Sequence, residues 1–178
     1  MAKNRLAGAA QTAKYGIALG VAGGFAEIIW IAAYGALTGS DTTEVARAIT
    51  STVGRALPSI SLASAPFIYG IVIHMLAAIG MGIVLVLVWQ GLTTRVRPRV
   101  NVYTFMVGAL ALVWVFNFFV VLPLISPAFV EIVPYPASFV SKLLFGLAGA
   151  IMLRYVTTRE VDRVDPIRAS DGRTGREG

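Results

Sequence analysis

The chain has 178 residues, 57% of them hydrophobic and 13% charged, with no cysteine and a formal charge of +6. Soluble domains carry about a quarter charged residues, so a soluble globular fold is excluded and an integral membrane protein is expected. The missing cysteines exclude disulfide frameworks, thiolate metal sites, iron–sulfur clusters and cysteine nucleophiles. The positive charge flanks apolar runs, where it sets membrane orientation, so nucleic acid is not an expected partner.

The pattern predicts an all-α fold: an integral membrane four-helix bundle, N-in and C-in, with an amphipathic interfacial helix between spans one and two. Residues 1–14 read as a cytoplasmic N-terminal segment with Lys3, Arg5 and Lys14. Span one covers 15–37. Its apolar run is too long for a signal peptide and carries Glu27, so it is expected to be a retained helix. Gly16, Gly20 and Gly24 recur four apart, a ridge that permits close helix approach, and Glu27 continues it three residues on.

The stretch "DTTEVARAITSTVGRALP" follows. Asp41 and Glu44 make a capping-box pattern, and Val45, Ile49, Val53 and Ala56 recur at helical spacing. An amphipathic helix over 42–57, stopped by Pro58, is expected to lie on the outer face as a covering lid.

Span two covers 66–89 and contains His74, the only histidine. Gly70, Ala77, Ala78 and Gly82 share its face. Span three, 103–124, carries Asn117. Span four, 138–156, carries Lys142, with Ser138, Gly146 and Gly149 on the same side. Each span approaches the roughly 20 residues that cross a bilayer, giving a transmembrane domain over 15–156. Residues 157–178 mix charges of both signs with Gly and Ser and read as a cytoplasmic tail, disordered alone. Large residues such as Val84, Leu85, Phe118 and Phe119 are assigned to lipid. No internal repeat is visible.

Twelve basic residues, counting Arg154 in the last turn of span four, fall at the ends assigned to the cytoplasm, against Arg47 and Arg55 on the opposite side. That bias fixes the expected topology, in a bacterial inner membrane.

Each span therefore carries one polar side chain that hydrocarbon rejects: Glu27, His74, Asn117 and Lys142. Counting at about 1.5 Å per residue puts all four in the outer half of the membrane. Insertion of one charge at the centre costs about 2.5–3.5 kcal/mol, which convergence on a partner offsets. A Glu27–Lys142 ion pair with His74 and Asn117 around it is the expected cluster. His74 beside a carboxylate would accept a proton near neutral pH. Lys142 alternatively snorkels to the outer interface. Trp30, Tyr34, Met81 and Trp114 are candidate pocket-lining residues, although most aromatics here suit an interfacial belt.

Three functions follow. The first is a non-catalytic accessory or anchoring subunit of a bacterial membrane complex, energy-transducing in kind, with other membrane subunits or further copies of itself as partners. The second is a proton-coupled small-solute carrier or proton path using Glu27 and His74. The third is a b-type haem anchor, with His74 as one axial ligand and a methionine such as Met75 or Met106, or a second copy's histidine, as the other; Met81, seven residues on in the same helix, cannot supply the opposite ligand. No motif of a nucleophile, phosphate loop or paired carboxylates points to an enzyme.

Overall fold

The computed structural model describes residues 2–56, 64–96, 100–125, 132 and 134–164. Every regular element among them is helical. Pro58, Arg97, Arg99 and the tail beyond 164 lie outside the described residues.

Helix α1 runs Ala2–Thr38, so helix also occupies the segment assigned to the cytoplasm. The run of alanine and leucine there favours helix without need of a membrane. The helix ends where Gly39 takes φ 73° and its N–H bonds the Gly35 carbonyl at 2.8 Å. Glycine adopts that left-handed conformation without a Cβ clash.

Helix α2 spans Thr43–Ala56. Asp41 caps it, its Oδ1 accepting from the Thr43 N–H at 2.9 Å and the Thr43 hydroxyl at 2.6 Å. The packed edge of α2 is Ala46 and Thr50, with Glu44, Arg47 and Ser51 exposed. The Thr50 hydroxyl donates to the Pro66 carbonyl at 2.5 Å, tying α2 to the start of α3, Pro66–Val96. Proline suits that first position because its missing N–H has no intrahelical partner there.

Helix α4, Val102–Phe116, is capped by Asn101 and passes through a π turn, Asn117–Val121, into α5, Leu122–Ile125. Pro123 accounts for the turn. In a regular helix its ring would collide with the carbonyl four residues back. One widened turn, in which the Leu122 N–H reaches the Asn117 carbonyl, moves that carbonyl away.

Helix α6 covers Tyr135–Val164, starting three residues before the expected span and ending eight after it. Among the described residues four helical stretches are long and apolar enough to cross a membrane: Gly8–Thr38, Pro66–Leu92, Val102–Ile125 and Tyr135–Glu160.

Packing follows the small residues. A Cβ at Gly16 would lie 2.5 Å from the Ile83 Cα, and one at Gly20 2.5 Å from the Ala78 carbonyl oxygen. Gly82 faces the backbone of Gly16 and Gly20 in return. These contacts bring α1 and α3 together backbone to backbone. On the other side of α1, Gly23 receives the Phe145 ring and Gly149 receives Leu19, which seats α6. Gly146 lies against Met106 and Val107, which seats α4 on α6. Gly70 faces the Ala46 backbone of α2.

The order of contact is therefore α2, α3, α1, α6, α4, with α3 and α4 touching little. Trp89 and Phe105, ring centroids 5.2 Å apart, make one link between those two. The core is Leu19, Val86, Met106, Leu110 and Phe145, all nearly inaccessible. Leu85 and Phe118, assigned to lipid, are buried, whereas Val84 and Phe119 are exposed. Leu85 belongs to the main core and Phe118 stacks on Trp114, contacts that side-chain size alone does not reveal. Ala77 is exposed despite its place near the His74 face.

Candidate functional site

Glu27 sits where two glycine contacts have drawn three helices close. Gly24, three residues before it, lets Met75 and Ala78 of α3 approach, and Gly23, four before it, admits Phe145 of α6. Those approaches deliver His74 and Lys142 to the carboxylate. Glu27 Oε1 accepts from Lys142 Nζ at 2.5 Å and from the Ser141 hydroxyl at 3.2 Å. His74 Nε2 lies 3.5 Å from Glu27 Oε2.

Burial grades across the group. The Glu27 side chain is 3% exposed, His74 23% and Lys142 26%. The carboxylate is thus enclosed while its two basic neighbours are partly exposed. His74 Nε2 is itself buried and makes no hydrogen bond. The Phe145 ring lies below, its centroid 5.9 Å from Lys142 Nζ. Lys142 therefore turns inward rather than snorkelling. Its depth agrees: α6 begins at Tyr135, so Lys142 lies seven residues in, about 10 Å, rather than the four residues counted from Ser138.

Asn117 stands elsewhere. Among the described residues the polar neighbours of Glu27 are His74, Ser141 and Lys142. The antiparallel register of α4 on α6 explains the separation. Gly146 meets Met106, and the Trp114 Nε1–H donates to Ser138 Oγ at 2.9 Å. The same pairing sets Lys142 opposite Leu110 and Asn117 opposite Tyr135. Seven residues of rise, about 10 Å, divide Asn117 from the cluster.

The other candidates fall at different places. Trp30 donates to the Ala137 carbonyl at 2.8 Å, bracing α1 against the first turn of α6. Tyr34 has its ring centroid 6.3 Å from that of Trp30. Met81 packs on the main core, two turns along α3 from His74, and Met75 is the methionine beside Gly24. Trp114 joins an aromatic group, its ring centroid 5.2 Å from Phe118, 4.9 Å from Phe139 and 6.2 Å from Tyr135. The sequence leaves Trp114 between a pocket lining and an interfacial belt. The spacing of Trp114 and Phe118, four apart on one helix, was the available signal for a cluster.

Ser141 was also missed, although its place beside Lys142 and three residues from Ser138 marks the packed side of α6. At the opposite end, the Tyr15 hydroxyl donates to Glu160, and Thr12 donates to Gln90 at 2.9 Å. Those bonds join the start of α1 to the ends of α6 and α3.

Chemically, the group is an ion pair with an imidazole in reserve. It offers one carboxylate, already taken up by an ammonium and a hydroxyl. Among the described residues no three His, Asp or Glu side chains gather to hold a metal. His74 Nε2 faces Glu27 Oε2, and Met81 lies two turns along the same helix as His74. No family model, curated protein or solved structure matches this chain.

Proposed function

We propose that the protein is a non-catalytic accessory or anchoring subunit of a bacterial inner-membrane complex, with both termini cytoplasmic. In it Glu27, Ser141, Lys142 and His74 form a buried polar lock between three spans. The observation carrying this reading is the self-sufficiency of the group: Lys142 Nζ at 2.5 Å neutralises the deeply buried Glu27 carboxylate. A carrier's substrate site presents unpaired groups to its cargo, whereas this carboxylate is already paired. Charge pairing inside a span fixes which helices meet, as interhelical hydrogen bonds do in membranes generally.

A second reading is favoured by one feature, the buried His74 Nε2 without a hydrogen bond beside Glu27 Oε2. A proton arriving there would turn the contact into a charge-assisted hydrogen bond and compete with Lys142 for the carboxylate. In that reading Glu27 and His74 handle protons for a carrier or a proton path.

Affinity-tagged protein extracted from native membranes in mild detergent separates the two. A subunit brings down a stoichiometric membrane partner, retained when His74 is replaced by Asn. A proton path gives proton flux in reconstituted vesicles that disappears in E27Q. Recovery of the chain alone, with such flux, would overturn the subunit reading.

A further inference from the structure

Polar side chains stand toward both ends of the bundle, and the stretch between them holds none. From Gly16 to Ala26 in α1, Met75 to Val88 in α3, Phe105 to Val113 in α4 and Leu143 to Leu153 in α6, every residue is apolar or glycine. Leu19, Val86, Met106, Leu110 and Phe145 close the middle of that stretch, all nearly inaccessible, with Ala150 fully buried in the same core. The eleven residues 16–26 of α1 alone make a barrier about 16 Å thick. An apolar interior stays dry, and a proton needs polar groups or water to cross it.

Beyond the barrier lie Thr12, bonded to Gln90, and Tyr15, bonded to Glu160. The Glu27 group lies before it, at the α2 end. His74 is eight residues from Pro66 and Lys142 seven from Tyr135, about 10 to 12 Å from the starts of their helices. Tyr34, seven residues beyond Glu27 on the same face of α1, is half-buried. His74 and Lys142 keep 23% and 26% of their side chains exposed. Access to the group is therefore from the α2 end, since the other way is shut.

His74 is the group a proton can change. Its Nε2 is buried without a hydrogen bond, 3.5 Å from Glu27 Oε2. The charged groups facing it are Glu27 of α1 and Lys142 of α6. The titratable side chain of α4 is Tyr103, beyond the barrier, and those of α2, Glu44, Arg47 and Arg55, are exposed. Tyr69 of α3, five residues before His74, projects about 140° away around the helix.

We infer that this group is a proton-responsive switch worked from the α2 side of the membrane alone. A proton taken up at Nε2 makes the imidazole a cationic donor to Glu27 Oε2, and the carboxylate, now shared, loosens its hold on Lys142. Lys142 keeps its own proton and turns outward along α6. The added proton leaves by the side it came from, because the barrier offers it no further group. The switch rests on the lock proposed above, adds its regulation, and weighs against a proton path through a single chain.

A chain with no cysteine and a single histidine suits two measurements at full length. In sealed vesicles, a membrane-impermeant thiol reagent should modify H74C from the side on which S51C reacts and not from the side of A10C. A150C, inside the barrier, should react from neither. Should H74C fail to fold, Y34C replaces it with the same expected side. Reaction from the A10C side, reaction from neither side, or reaction of A150C would overturn the one-sided access. In nanodiscs, with isotope-labelled histidine and lysine in a K3R/K14R background, His74 should gain a proton as the pH falls from about 8 to 5. The Lys142 ammonium resonance, slow to exchange while paired, should broaden over the same range, and in H74Q it should not. A Lys142 resonance still sharp after His74 is protonated, or a His74 that takes up no proton, would overturn the switch and leave the lock standing. A Lys142 resonance absent at every pH would overturn both.

Discussion

Glu27 has nowhere to go and Lys142 has an exit. A glutamate with 3% of its side chain exposed cannot reach an interface, while a lysine with 26% exposed retains a route outward along α6. Single substitutions should therefore be unequal. K142M strands a buried carboxylate and should cost about 3 kcal/mol, the low end for breaking a buried pair, because Lys142 is itself partly exposed. E27Q leaves an ammonium that can turn outward, and the amide oxygen still accepts a hydrogen bond, so its cost should be smaller. Thermal unfolding of both variants in one detergent checks the order. The meeting of Glu27, His74 and Lys142 was legible because glycines marked the inward face of each span and because rejected polar groups must meet something. The place of Asn117 was not, since it depends on where α6 begins, and Pro134 and Pro136 allow that start at Tyr135 rather than Ser138.

Between helices, glycines do unequal work. Gly82 meets the backbone of α1, whereas Gly80 and Gly91 on the same helix have nothing within 4 Å of an added Cβ. G82V should force α1 and α3 apart at an overpacking cost of about 1–3 kcal/mol or more, and G80A should be neutral or slightly stabilising through helix propensity. Urea or SDS titration monitored by circular dichroism distinguishes them. The ridge of Gly16, Gly20 and Gly24 was readable from spacing alone. Which partner each glycine serves was not, because neighbours Gly23 and Gly24 face different helices.

Helix α2 answers to a different force. The Thr43 hydroxyl and N–H hold the Asp41 carboxyl below the ordinary aspartate range. A depressed folded value means the cap contributes fully above the unfolded aspartate pKa of about 3.9 and is lost as pH falls through the lower, folded value. Amides in the first turn of α2 should exchange faster with solvent at the acid end of that window. In D41A the same amides should exchange fast throughout, with no such step. Hydrogen exchange across pH tests this, and a step of equal size in D41A would contradict the cap.

At the scale of the whole chain, the bias of twelve basic residues against two predicts that both termini face the cytoplasm. Because there is no native cysteine, single reporters can be introduced without removing any. S51C should react with a membrane-impermeant thiol reagent in intact cells, and A10C only after the membrane is opened; the reverse pattern would invert the topology. Length, hydropathy and charge made the number of spans legible. The gap between α3 and α4 was hidden, because it arises from contacts that α1 and α6 make rather than from any property of α3 or α4.

A double-mutant cycle on E27Q, K142M and their combination tests the claim that the Glu27 carboxylate is held between three spans by Lys142. Two groups in contact should show a coupling of about 0.5–3 kcal/mol, with the double variant more stable than the summed losses predict. Additivity within about 0.5 kcal/mol would mean that the two side chains do not meet in the membrane.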